Sequence, residues 1–259
     1  PGSFLRDRWR RAFVLCHSHA MSSAGIVQST REGHSIDISL RDVSISTRRG
    51  GFVVEGINAD IPGGSFGVLI GSAGTGHSAL LLAMTGRFKI ASGRIEVGSR
   101  SLPEDQRWVR RNSAIHLSEA DGGFDGGLRV REEVQRAVLL GRPGYRQARG
   151  KQLADRLEEI LTPWCADIDP RTLLGELTAW QRARLKIALG VVPAARVVAI
   201  DGIGNGIPVS QKHQLWAWLA QWARDTGVTV LGTGIEVPGE LTANTVIVEL
   251  DRHVEAQAS

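Results

Sequence analysis

An α/β fold with a mostly parallel core sheet, an N-terminal antiparallel β subdomain and an inserted α-helical subdomain is the expectation for this chain, and three observations carry it. Residues 36–61 alternate apolar and polar, with Arg48, Arg49, Gly50 and Gly51 breaking the run into two halves, as an antiparallel pair does. Two short apolar runs, FGVLI at Phe66–Ile70 and VVAI just before Asp201, read as buried strands that alternate with stretches of helical spacing, the order of a parallel sheet covered by helices. A block around Pro163–Gly190 has helical spacing of its own and interrupts that alternation as an insert.

In chain order, SIDISLRDVSIS and FVVEGINADI form the first strand pair, and FGVLI is the first core strand. ALLLAM, from Ala79 to Met84, reads as the helix that follows, and SGRIEVGSRSL, from Ser92 to Leu102, as another short strand pair punctuated by Gly93 and Gly98. Residues from about Glu119 to Gly144 read as irregular and rich in glycine. Leu153, Leu157, Ile160 and Leu161 then recur on one helical face until Pro163 ends the run, and a second helix follows Thr178 as its cap. After VVAID, Ser210 opens a helix with Leu215, Trp218, Leu219 and Trp222 on one face, Gly227 closes it, and VTVLGT begins another buried strand.

Length and composition fit one globular domain or a domain with a satellite, and no run of about 18 apolar residues offers a membrane span. Any membrane role therefore falls to a partner. The net charge of +4 does not argue for nucleic acid, because Arg6, Arg8, Arg10 and Arg11 against Asp7 put +3 of it in the first 20 residues. Met21 is the expected native start, with residues 1–20 an upstream extension whose AFVLC run is too short for a secretory signal. Cys16 and Cys165 show neither metal spacing nor a disulfide framework, which suits a cytoplasmic protein.

The strand FGVLI leads into GSAGTGHS, Gly71 to Ser78, a near match to the phosphate-cradling pattern G-x-x-x-x-G-K-[ST]. Gly71, Gly74 and Gly76 supply bends that turn backbone N–H groups inward, around Ser72, Ala73 and Thr75, and Ala79 continues into the helix whose N-terminus faces the anion. Ser78 keeps the metal-facing hydroxyl, while His77 stands where the lysine belongs. The plain alternative is a tight glycine turn with Ser78 in a first helical turn and His77 solvated. Asp201, at the end of an apolar strand, is the second candidate for Mg²⁺, against an alternative in which it caps a turn.

Taken in order, these segments resemble the nucleotide-binding cassette of ABC transporters, a branch of the P-loop NTPases, over about Ile36–Leu250. GSAGTGHS matches the Walker A loop, LRVREEV (Leu128–Val134) a stretch where cassettes read LTVREN, LTAWQRARLKIALGVV (Leu177–Val192) the signature and its helix, VVAID the Walker B strand, and GVTVLGTG (Gly227–Gly234) the strand before the switch histidine. The resemblance implies a cassette over residues 36–250 with a helical subdomain at about 122–190, an extension over 1–35 and a tail over 251–259. It also implies ATP and Mg as ligands, a membrane permease subunit as partner, a head-to-tail cassette dimer, no nucleic acid and no direct membrane insertion.

Against that pattern several positions depart. The catalytic glutamate position is Gly202, the switch histidine position Gly234, and the two signature glycines are Ala179 and Trp180. The glutamine that senses the γ-phosphate falls at Ser118 or Glu119, the D-loop carries Pro208, and the adenine-stacking position falls to Arg48 or Phe52. Glycine accepts no proton, and Trp180 blocks close backbone approach, being more suited to packing or a partner contact. In a head-to-tail dimer each composite site takes one chain's loop and the other's signature, so both contributions are altered. The resulting expectation is a cytoplasmic ATP-binding subunit, peripheral to the membrane through its partner, that binds Mg-ATP with weak or absent hydrolysis. The alternative is a pseudo-ATPase scaffold or regulatory module.

Overall fold

The computed structural model describes residues 35–46, 52–116, 124–141, 165, 167–191, 195–237 and 243–250. They fall into two compact units, one within 33–123 and 194–259 and the other within 124–193.

The larger unit holds two sheets. Strands β1 (Ile38–Ser46) and β2 (Phe52–Ile61) pair antiparallel, and β4 (Ser92–Val97) and β5 (Arg100–Leu102) continue the sheet in the order β2-β1-β4-β5. In β1 the apolar residues sit at Ile38 and Leu40, then at Val43 and Ile45, a period of two that skips once. The register slips at that point, Asp42 takes a positive φ of 50°, and all four apolar side chains stay buried.

The second sheet is parallel throughout, in the order β6 (Ser113–His116), β7 (Val197–Ile200), β8 (Thr229–Gly234), β3 (Phe66–Ile70) and β9 (Thr245–Glu249). Every residue of β3, β7 and β8 is buried, which is why they read as continuous runs rather than alternating ones. The mostly parallel core sheet and its antiparallel companion match expectation. The edge strands β6 and β9 do not stand out in the sequence, since SAIH is four residues long and TVIVE lies partly exposed.

Helix α1 (His77–Met84) buries Leu80, Leu81, Ala83 and Met84 in a cluster shared with Leu40 and Ile45 of β1 and with Val197 and Leu231 of the parallel sheet. Burying one such leucine stabilises by about 1.5–3 kcal/mol, so the loop preceding α1 is fixed by the core on both sides. Helix α2 (Gln106–Asn112) occupies an arginine-rich run; Arg107, Arg110 and Arg111 are exposed, but Val109 is buried.

In the smaller unit, α3 (Val130–Gly141) begins inside the stretch expected to be irregular. Glu132 accepts the Arg129 N–H at 2.8 Å, Glu132 and Glu133 favour the first turn, and Val130 and Val134 are buried. Glycines at 126 and 127 masked that start by dominating the local composition. Helix α4 (Ala179–Val191) follows Thr178 as expected, with Gln181 N–H donating to Thr178 Oγ1 at 3.2 Å and Thr178 N–H to Gln181 Oε1 at 3.0 Å. The helical run expected before Pro163 lies outside the described residues.

In the larger unit, helix α5 (Val209–Thr226) opens one residue before Ser210, with Pro208 at its N-cap, and closes on Gly227 at φ +69°. Its buried face is Leu215, Trp216, Leu219, Ala220 and Ala223, while Trp218 and Trp222 are half-buried. The expected face is thus rotated, because Trp216 packs edge-on against Phe66 of β3 at 5.5 Å between ring centroids.

Candidate functional site

The loop from Gly71 to Gly76 leaves the end of β3 and enters α1. Its start is tied to β8 by the Gly71 N–H, which donates to Gly234 O at 3.1 Å, and Thr75 closes a turn through bonds from its N–H and Oγ1 to Ser72 O at 3.2 and 2.9 Å. Ser72, Ala73 and Gly74 are exposed at the tip. Gly76, at φ +82°, admits no other residue: a Cβ there would lie 2.6 Å from Val54 Cγ2 and 2.9 Å from Val53 O. The loop is therefore pressed against β2 while its tip stays open.

Helix α1 starts with no side-chain cap and no acid in its first turn. Its first N–H groups are left for an external acceptor, and the helix dipole favours an anion there. His77 and Ser78 form that first turn, both half-buried. Among the described residues His77 Nδ1 is buried without a hydrogen-bond partner, a state that costs about 1–3 kcal/mol until an acceptor or donor arrives.

Ser78 Oγ faces both oxygens of Asp201, at 3.0 Å from Oδ1 and 3.0 Å from Oδ2, its one proton shared between them. Asp201 follows β7 directly and is 2% exposed, with its N–H donating to His116 O at 2.8 Å. Thr233 of β8 donates through Oγ1 to Asp201 Oδ1 and accepts the Gly202 N–H at 2.7 Å. A serine hydroxyl and one carboxylate are hard oxygen donors. They suit Mg²⁺, which keeps several waters and is completed by phosphate oxygens, and the uncapped helix start with its orphan imidazole nitrogen suits the phosphate. The residues present fit such a ligand pair.

The residues expected to be lost from catalysis are placed as follows. Gly202 sits next to Asp201 at φ +63°. Gly234 ends β8 facing inward, where an added Cβ would meet Ile70 Cδ1 and Trp216 Cζ2 at 3.4 Å. The next residue, Ile235, is 64% exposed, so neither position offers an imidazole. Phe52 opens β2 and is exposed; Arg48, Ser118 and Glu119 lie outside the described residues.

Within the smaller unit, Ala179 and Trp180 form the first turn of α4. The Trp180 ring lies under the Arg184 guanidinium, 5.4 Å from its centroid, and Arg184 makes two bonds to Asp167 at 2.8 and 2.7 Å. Burial pushes the Asp167 carboxyl up, but the Arg184 bonds and charge, with Gln181, more than offset this and hold it below its ordinary value. Cys165 is buried nearby, and burial pushes its thiol up to about 12, which keeps it a protonated, unreactive group.

Thr233 is the residue that sequence reading passes over. Its signal is a hydroxyl near the end of a strand that is buried throughout, a place where an unpartnered polar group is costly.

A family model described as "ABC transporter" matches residues 54–203, which include the glycine loop, Ala179, Trp180 and Asp201. The manganese transport system ATP-binding protein MntA of Synechocystis is 24% identical over 203 residues, covering 76% of this chain and 74% of that protein. The arabinose import ATP-binding protein AraG of Pseudomonas savastanoi is 28% identical over 173 residues, covering 65% of this chain but only 32% of its own length. Among solved structures, cbiO1 of Clostridium perfringens, part of the ABC transporter complex cbiONQ, superposes with a TM-score of 0.63 at 17% identity over 78% of this chain and 80% of that one. The ATP-binding cassette MJ0796, bound to ADP and Pi, gives a TM-score of 0.63 at 17% identity over 81% of this chain and 96% of that one. With a family match over more than half its length and the same fold in these neighbours, the chain belongs to the ABC transporter family and has the nucleotide-binding cassette fold of the P-loop NTPases.

Proposed function

We propose that this chain is an ATP-binding subunit of a membrane transport system that holds Mg-ATP in the loop Gly71–Ala79 and turns it over weakly or not at all. The observation that carries the reading is the Ser78 hydroxyl set 3.0 Å from each oxygen of Asp201 at the start of an uncapped helix. Bound Mg-ATP supplies the anhydride to be cleaved, and the metal the charge that neutralises its phosphates. The chain's own part is to bind and orient. Backbone N–H groups around Gly74 and Gly76 face the phosphates, Ser78 and Asp201 hold the hydrated metal, and His77 replaces a lysine's charge with a shorter ring. Losing a charge-assisted contact costs about 1.5–3 kcal/mol, or about one to two decades in affinity, a loss that millimolar cellular ATP tolerates.

Hydrolysis asks for more. Gly202 has no carboxylate to orient water, Gly234 no imidazole, and Ala179 and Trp180 replace signature glycines. That MntA is named as the ATP-binding protein of a transport system and cbiO1 as part of an ABC transporter complex supports a membrane permease as partner, and the dimeric MJ0796 structure supports a second cassette, head to tail, as the dimer mate. No described helix is long and apolar enough to cross a membrane, so the location we assign is the cytoplasmic face, through that permease. The second reading, a non-catalytic scaffold or regulatory module, is favoured by the left-handed backbone at Gly202.

Melting temperature under nucleotide titration tests binding. A ligand at 100 times its Kd stabilises by about 2.7 kcal/mol, and each kcal/mol moves a domain of this size by about 2–4 °C. Mg-ATP is expected to raise the melting temperature by several degrees and Asp201→Asn to shrink the Mg-dependent part, with ATP turnover at background in both proteins. No shift with ATP, ADP or GTP would leave only the scaffold; steady turnover at ordinary cassette rates would refute the catalytic loss.

A further inference from the structure

We propose that Thr233 is the positioning residue of the metal site: its single hydroxyl fixes the Asp201 carboxylate in the orientation that meets Ser78, and so sets the affinity for the divalent cation. The inference rests on the reading of Ser78 and Asp201 as the metal-facing pair. Thr233 lies on β8, fully buried, one strand away from the end of β7 that carries Asp201. Its Oγ1 donates its one proton to Asp201 Oδ1 and accepts the Gly202 N–H at 2.7 Å, while its carbonyl accepts the Ile203 N–H at 3.0 Å. The hydroxyl thus both donates and accepts, and its direction is dictated from both sides.

The carboxylate it holds has few alternatives. Asp201 N–H is committed to His116 O, and the side chain is oriented by two hydroxyls, Thr233 from the neighbouring strand and Ser78 from α1. A cation at Ser78 would draw on a lone pair of Oγ and leave the hydroxyl proton free to stay on Asp201. Thr233, donating from β8, fixes the same carboxylate from the neighbouring strand. Removing it frees the carboxylate to rotate and leaves the Gly202 N–H without its acceptor. Groups that orient metal-facing side chains from behind typically change metal affinity by about 10–100-fold when replaced.

The experiment compares full-length wild type, Thr233→Val, Thr233→Ser and Asp201→Asn. For each, the dissociation constant of a fluorescent ATP analogue is measured with Mn²⁺ standing in for Mg²⁺ and again in EDTA, and Mn²⁺ binding is followed by its paramagnetic resonance signal. Thr233→Val is expected to lose about 10-fold or more of the metal-dependent gain while its affinity in EDTA stays within about two-fold of wild type. Thr233→Ser restores the gain, and adding Thr233→Val to Asp201→Asn costs nothing further. A valine variant that keeps the full metal-dependent gain overturns the proposal. So does one that weakens binding equally with and without metal, because that pattern belongs to a merely structural threonine. Wild type that binds the analogue with no metal-dependent gain removes the metal pair itself, and wild type that does not bind at all removes the nucleotide site. Either result is read on wild type alone and is distinct from failure at Thr233. Should valine beside the buried carboxylate prevent folding, Thr233→Cys keeps the volume, weakens the hydrogen bond and takes its place.

Discussion

Gly202 bears on the proposed loss of catalysis through its backbone as well as through its missing side chain. At φ +63° it occupies the left-handed region, where a residue with a Cβ is penalised by about 1–2 kcal/mol. Its N–H, donating to Thr233 Oγ1, pins that conformation. Gly202→Ala is therefore expected to lower the unfolding free energy by about 1 kcal/mol, read from urea denaturation. Gly202→Glu carries the same penalty, so installing the carboxylate alone leaves ATP turnover at background. Steady turnover by Gly202→Glu would mean that the turn relaxes at little cost and that only the side chain was lacking. A glycine in place of a glutamate is visible in the sequence. The left-handed turn that resists its reversal is not, because it depends on a hydrogen bond to a strand that is 31 residues away.

Helix α4 shows how an element's start is held by a local cap and a longer bond. The Thr178 and Gln181 pair satisfies the first turn, and Arg184, stacked on Trp180, ties the helix to Asp167. Because Asp167 titrates below its ordinary 3.8 in the folded chain, its contribution is fully present above pH 3.8 and is lost as pH falls through the folded value. Asp167 is partly exposed, which limits the pair to about 1 kcal/mol. Asp167→Asn is thus expected to be about that much less stable at pH 7, and the gap is expected to close at acid pH below 3.8; urea melts of both proteins across that range measure it. A gap that stays constant into acid would assign the effect to packing. The cap at Thr178 was legible because a capping box is a short-range signal, as were β3, β7 and β8 through their apolar runs. The face of α5 was not. With Trp216, Trp218 and Trp222 on one helix, spacing alone allows two adjacent stripes, and the choice falls to Phe66 on another strand and to the small Ala220 and Ala223.

At the scale of the molecule, the glycine loop and Asp201 were legible in sequence because each lies at the end of an apolar run, whereas their meeting at Ser78 depends on the order of the parallel sheet, with β8 between β3 and β7. That same order turns Gly234 inward opposite Ile70, a direction that no local pattern encodes. Charge is likewise a property of the whole chain that a single total misrepresents. Of the net +4, the first 20 residues hold +3 and the remainder about +1, so the body carries little field for a polyanion despite a pI near 9.6. Nonspecific binding to duplex DNA falls with salt at a logarithmic slope of about −0.9 per phosphate neutralised. Four arginines in the leading segment therefore limit the full chain to a slope no steeper than about −4. In a fluorescence anisotropy titration, the full chain is expected to bind duplex weakly at low salt with at most that slope, and residues 21–259 to show no binding near physiological salt. Equal slopes for the two proteins would place the phosphate contacts on the folded body, with the exposed Arg107, Arg110 and Arg111 of α2 as the first residues to replace.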